Sequence, residues 1–253
     1  MCRLDHLLPA VTYEGMARTR KSPTAEPKIN QTPRRKKRWL LRILSGFLAA
    51  ILAATLLYKV VNPPTTPYMF AEGQRLGGVS QVWVSMDRIA PVMARSAVAA
   101  EDANFCLHWG LDVTAIRAAM AAGADRGAST ITQQVVKNVY LWQGRNWVRK
   151  AVEALWTPLV EALWSKRRIL EIYLNVAEFD EGVFGVQAAA QTYFGVDAAD
   201  LTAVQAARLA MVLPDPKRRD AAKPTDAQRR RSARILDGAA TIAADGRAAC
   251  FES

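Results

Sequence analysis

At 253 residues, about half of them apolar, the chain is long enough for one substantial domain, or two small ones, with a core of its own. Its net charge of +11 is uneven: residues 1–42 carry eleven Lys or Arg against Asp5, Glu14 and Glu26, which leaves only +3 for the remainder. That distribution excludes a nucleic-acid grip by the folded part, and two histidines, one of them in the tail, exclude a histidine metal centre.

Residues 1–38 are polar, basic and rich in Pro, Ser and Thr, the composition of a disordered tail. They run into WLLRILSGFLAAILAATLLYKVV, 39–61, which has no charge between Ile43 and Tyr58 and reaches roughly the 20 residues that a bilayer-crossing helix needs. Trp39 and Tyr58 fall near its two interfaces. The run PRRKKR before it belongs in the cytoplasm by the positive-inside rule, which puts everything after Asn62 on the far side. A cleaved signal peptide and a buried soluble helix are the competing readings; the long tail and the length of the apolar run favour an uncleaved anchor.

NPPTTPYM opens a stiff connector, 62–80, and GGVSQVWVSM alternates as a short strand. From 81 to 253 the periodicity is that of one mainly helical domain. APVMARSAVAAED repeats apolar residues at three and four, and DVTAIRAAMAAG starts on a capping Asp112 and stops at Gly123.

RGASTITQQVVKNVYLWQGRNWVRKAVE, 126–153, divides into two helices. Thr130 and Gln133 have capping-box spacing, and Ile131, Val135, Val139 and Trp142 form one apolar face. Gly144 breaks the run and Asn146 caps a second helix carrying Arg149, Lys150 and Glu153, with Pro158 starting a third, capped by Thr157. SKRRILEIYLNVAEF buries Ile169, Ile172 and Tyr173, after which Gly182, Gly185 and Gly195 suggest tight turns, with Glu178 and Glu181 as surface acids. Cys106 and Cys250 share the far side of the anchor and are free to pair, but nothing in their spacing demands it.

Two segments carry candidate chemistry. In AAEDANFCLHWG, Glu101 ends an Ala-rich helix, where partial desolvation would raise its pKa and make it a general base; a solvated acidic pair with Asp102 is the alternative. His108 reads as a hydrogen-bonded structural residue. In 126–153, Lys137, Arg145, Arg149 and Lys150 cluster beside free hydroxyls and a helix N-terminus, which suits phosphate oxygens as well as it suits a solvated face. No glycine-rich nucleotide-binding pattern is present.

Taken together, EDANFCLHWG, GASTITQQVVKN, RKAVE and ILEIYLNVAEFDEGVFGVQAAAQTYF resemble, in order, four motifs of the peptidoglycan glycosyltransferases of the lysozyme-like superfamily, over roughly 65–225. The segment AAGADR before Gly127 looks shorter than in that family. With the chain ending at Ser253 and no S-x-x-K or K-T-G in it, the resemblance is to the monofunctional, membrane-anchored biosynthetic branch. It implies a lysozyme-like, mainly α domain behind a single transmembrane helix, placed on the periplasmic side of the inner membrane. The implied reaction is polymerisation of lipid II into β-1,4-linked strands with release of undecaprenyl pyrophosphate. Glu101 is then the base and Glu153 the second essential carboxylate. Ser129, Thr130, Gln133, Gln134, Lys137, Asn138, Arg145, Arg149 and Lys150 hold substrate and pyrophosphate, and a divalent cation, Mg²⁺, is expected near Glu153. Implied partners are lipid II, the growing strand, the membrane and other wall-synthesis or division proteins, but no nucleic acid. A glycan-cleaving relative and a silent scaffold are the rival functions; the cations argue against the first, because a hydrolase has no pyrophosphate to hold.

Overall fold

The computed structural model describes residues 34–121, 123, 129–144 and 146–252, so the expected tail lies largely outside the described residues. Helix α1, Arg34–Tyr58, is the one described helix long and apolar enough to cross a membrane, over Arg38–Tyr58. It starts earlier than the expected 39, because Arg and Lys are good helix formers. It also ends before 61, where Val60 and Val61 fold their N–H groups back onto the Leu57 carbonyl ahead of two prolines. The chain divides into two units, Met1–Phe47, described here only by the first part of α1, and Leu48–Ser253.

Within the second unit the end of α1 is built into the packing. Thr55 is fully buried; its hydroxyl accepts from Trp156 Nε1 at 3.0 Å and its carbonyl from Trp164 Nε1 at 2.8 Å. Arg168 donates to the carbonyls of Tyr58 and Val61 at 2.8–3.1 Å, satisfying groups that the helix end leaves open.

The connector 62–80 is not extended throughout, as its prolines suggested. Pro67 sits at the first turn of α2, Pro67–Leu76, where a missing N–H costs nothing, and Thr66 caps it. Strand β1, Ser80–Gln81, is parallel to β3, Val183–Phe184, which pairs antiparallel with β2, Glu178–Asp180. The other α-helices are α3 (Pro91–Glu101), α4 (Val113–Ala121), α5 (Ile131–Tyr140), α6 (Trp147–Leu163), α7 (Lys166–Val176), α8 (Val186–Phe194), α9 (Ala203–Val212), α10 (Asp226–Ala244) and the short α11 (Ala249–Glu252). Helices α3, α9 and α10 pack on one another, and α5 lies against α6 and α7. Their shared core holds Met93, Phe105, Ile131, Ile169 and Tyr173. Gly185 precedes α8 at φ 83°, with its N–H on the Ala177 carbonyl; a Cβ there would meet the Asn175 carbonyl oxygen at 2.8 Å.

Three local expectations are corrected. Pro158 does not start a helix: it lies inside α6, because the burial of Thr157, Val160 and Glu161 and the stacking of Trp156 on Tyr140 outweigh one lost backbone bond. Trp142 is half exposed and Leu141 takes the core position, since α5 ends at Tyr140 and the helical period no longer applies. Glu178 is buried rather than on the surface, accepting from Tyr68 Oη at 2.5 Å and from the Gly182 N–H; burial pushes its carboxyl up. Cys106 and Cys250 are joined in a disulfide.

Candidate active site

Glu101 is the last residue of α3 and faces a cleft of about 1080 Å³. Its Oε2 accepts from Gln134 Nε2 at 3.0 Å, and that amide's oxygen accepts from Tyr173 Oη at 3.4 Å. Burial raises the Glu101 pKa; the Gln134 bond and the charges of Arg231, Arg219 and Lys137 pull the other way without cancelling it. Neighbouring Asp102 turns elsewhere, as expected. It meets His108 Nε2 at 2.8 Å and accepts from the Ile131 N–H at 3.0 Å, so it ties the end of α3 to the start of α5.

The same cleft is lined by a group of cations, a cationic wall. Lys137, from α5, has its pKa lowered by burial; the fields of Glu153 and Glu101 oppose that shift, whereas Arg149 and Lys150 reinforce it. On α6, capped by Asn146, the spacing of Arg149, Lys150 and Glu153 brings both cations onto one carboxylate: Arg149 Nη1 lies 2.6 Å from Glu153 Oε2, and Lys150 contacts Oε1. Lys150 also donates to Ser129 Oγ at 2.9 Å. Glu153 is only 2% exposed, and its charge balances the largely desolvated Arg149 together with the half-exposed Lys150. Replacing it by Gln is expected to cost about 3 kcal/mol of stability by leaving the largely buried Arg149 unpaired; an unchanged denaturant midpoint would show that the pairs contribute nothing.

The structure therefore gathers Glu101, Ser129, Gln134, Lys137, Arg149, Lys150 and Glu153 around one cleft. Asn138 lines a smaller adjoining cavity of about 170 Å³, next to Gln134 and Lys137, and accepts from Gln143. Thr130 and Gln133 do not reach the cleft. They form the capping box of α5, and the Thr130 hydroxyl donates to the Gly110 carbonyl at 2.6 Å, so their polar atoms are spent on holding the helix start. Arg145 and Gly127 lie outside the described residues.

Sequence reasoning missed the third side. Arg231, Arg234 and Ile235 of α10 also line the cleft, together with Leu213 and Pro214. The available signal was the Thr225–Gln228 capping box ahead of RRRSARIL, which fixes a helix whose three- and four-residue spacing groups 231, 234 and 235 on one face.

The donor set does not make a protein cage for a divalent cation. Among the described residues no group of three or more His, Cys, Asp or Glu converges, and both Glu153 oxygens are engaged by Arg149 and Lys150. What the cleft offers is a carboxylate of raised basicity facing fixed positive charge, an arrangement suited to deprotonating a nucleophile while an anion departs.

Comparison with known proteins agrees. The Transglycosylase family model matches residues 71–240. A biosynthetic peptidoglycan transglycosylase of Jannaschia sp. (strain CCS1) is 59% identical, covering 92% of this chain and 98% of that protein. Proteins of the same name from Xanthomonas axonopodis pv. citri (strain 306) and Rhodospirillum centenum (strain ATCC 51521 / SW) are 47% and 43% identical, over 84% and 88% of this chain and 94% and 98% of their own lengths. The chain belongs to the transglycosylase family.

Proposed function

We propose that this chain is a membrane-anchored peptidoglycan glycosyltransferase of cell-wall synthesis, polymerising lipid II into β-1,4-linked glycan with release of undecaprenyl pyrophosphate. The observation that carries the reading is the buried, proton-avid Glu101 set in one cleft with Lys137, Arg149 and Lys150. Glu101 takes the proton from the acceptor sugar's 4-hydroxyl as that oxygen bonds to the anomeric carbon of the growing strand. The anomeric carbon–phosphate oxygen bond breaks, and its electron pair leaves with the pyrophosphate. Fixed cations stabilise that charge as it develops, which needs no proton donor; the sequence motif adds Arg145 to the candidates. Glu153 holds Arg149 and Lys150 in place. A divalent cation would have to draw Glu153 away from those partners, and no step is routed through one.

Purified protein is expected to convert lipid II into long glycan strands. Release of short sugars from finished peptidoglycan, with no polymer from lipid II, would establish the glycan-cleaving alternative instead.

The domain belongs on the periplasmic side of the inner membrane. In support, PRRKKR, 33–38, lies at the N-terminal end of the apolar span, and the Cys106–Cys250 disulfide suits an oxidising compartment. An enzymatic topology reporter fused after Ser253 should be active only outside the cytoplasm; a cytoplasmic signal would reverse the orientation.

A further inference from the structure

The segment that follows Glu101, 102–110, is held on two sides. From α5 and α7, Asp102 accepts the Ile131 N–H and also meets His108, Lys166 Nζ donates to the His108 carbonyl at 2.9 Å, and Thr130 closes on Gly110. It is held as well by the C-terminal residues 245–252, which lie beyond the stretch matched by the family model. Arg247 Nη1 donates to the Ala103 carbonyl at 3.0 Å, Cys250 is bonded to Cys106, and the fully buried rings of Phe251 and Phe105 sit 6.3 Å apart. The same residues are moored to the framework: Arg167 of α7 donates to the Phe251 carbonyl at 2.9 Å, and Arg95 of α3 pairs with Glu252 at 3.0 Å.

We propose that residues 245–252 act as a clasp that positions Glu101, with Arg247, Cys250 and Phe251 as positioning residues that touch no substrate. Glu101 is the residue before Asp102, and the Asp102–Ile131 bond sets how α3 ends relative to α5, the helix that carries Gln134 and Lys137. The His108 side of that carboxylate is kept in reach by the course of 103–107, and the clasp grips this course at Ala103, Phe105 and Cys106. Releasing the clasp lets 103–107 relax, loosens Asp102 and misaligns the base without removing any group from the cleft. Misplacement of about 1 Å is enough to cost up to a hundredfold in rate. This inference rests on the assignment of Glu101 as the base.

The full chain is compared oxidised, after treatment with dithiothreitol, and as the Cys106→Ser/Cys250→Ser variant, at a temperature where circular dichroism shows all three folded. Dithiothreitol's two thiols give two electrons and two protons to the bridge, leaving two cysteine thiols and a cyclic disulfide of the reagent. Turnover of lipid II is expected to fall about tenfold on reduction, with KM within twofold. Reoxidation should restore it, and the double variant should match the reduced protein and ignore the reagent. Arg247→Ala, with the bridge intact, should lower kcat about threefold at constant KM, and Arg247→Lys should recover part of that. Hydrogen exchange reads the clasp without reference to activity: reduction should speed exchange at the Ile131 amide and in 102–110 at least tenfold while leaving α8 unchanged. Unaltered exchange there overturns the clasp even if the proposed reaction is wrong. Faster exchange with full turnover overturns its positioning role.

Discussion

Glu101→Gln is expected to lower lipid II polymerisation by about 10²–10⁴, the range that a positioned general base contributes, while the fold survives or gains stability. The substitution keeps size and leaves the Tyr173–Gln134 chain in place, but it removes the group that accepts the proton. Stability should move the other way, for a reason visible in its protonation. Burial raises the Glu101 pKa, so the folded chain holds this proton more tightly than the unfolded chain does. Its contribution is fully present below the unfolded-state pKa and is lost as pH rises through the higher folded-state value. Once the pH exceeds that folded-state value, the wild type carries an unfavourable buried charge that the amide lacks. Melting temperature and polymer yield, measured on the same preparation, check both halves; a variant that polymerises normally eliminates Glu101 as the base. The acid limb of the wild-type rate profile should also lie above the ordinary carboxylate range.

Lys137→Ala is expected to cost about 10²–10³ in kcat, comparable to removing one preorganised donor from a developing anion. Lys137 is a desolvated ammonium whose depressed pKa comes first from burial, and it responds to both Glu153 and Glu101. Its loss should not unfold the protein, since removing a poorly hydrated cation relieves a cost rather than a contact. Single-turnover rates, compared with substrate affinity, separate the roles. A large drop in rate at similar affinity places Lys137 on the leaving group, and a drop in affinity alone makes it a ground-state binder. Wild-type turnover removes it from the site.

What could be read from the chain alone was what local physics decides. The Thr130–Gln133 capping box, the Asn146 cap and the burial of Ile169, Ile172 and Tyr173 follow from spacing within a few residues. Glu101 was legible as a base because the Ala-rich helix before it implies desolvation. Errors arose where distant parts decide. Pro158 reads as a helix start until the packing around Thr157 and Val160 is known, and Glu178 reads as exposed until Tyr68, far back in the chain, is seen on its carboxylate. Thr130 and Gln133 look like ligand-binding groups in a motif, yet the helix itself consumes their hydrogen bonds. Arg231 and Arg234 reach the cleft only because α10 packs on α3, and the bridge spans 144 positions, a separation that no pattern of spacing reveals.

The docking of Thr55 bears on where this enzyme can be cut. A shortened chain beginning just after the membrane helix would look reasonable from hydropathy, but it would strip both indole N–H groups of Trp156 and Trp164 of their acceptors and leave the Arg168 guanidinium without the Tyr58 carbonyl. Trp156 stacks on Tyr140, which ends the helix carrying Lys137, so the damage would begin one contact away from the cationic wall. The compact unit of this protein starts at Leu48 and takes the end of an apolar helix with it.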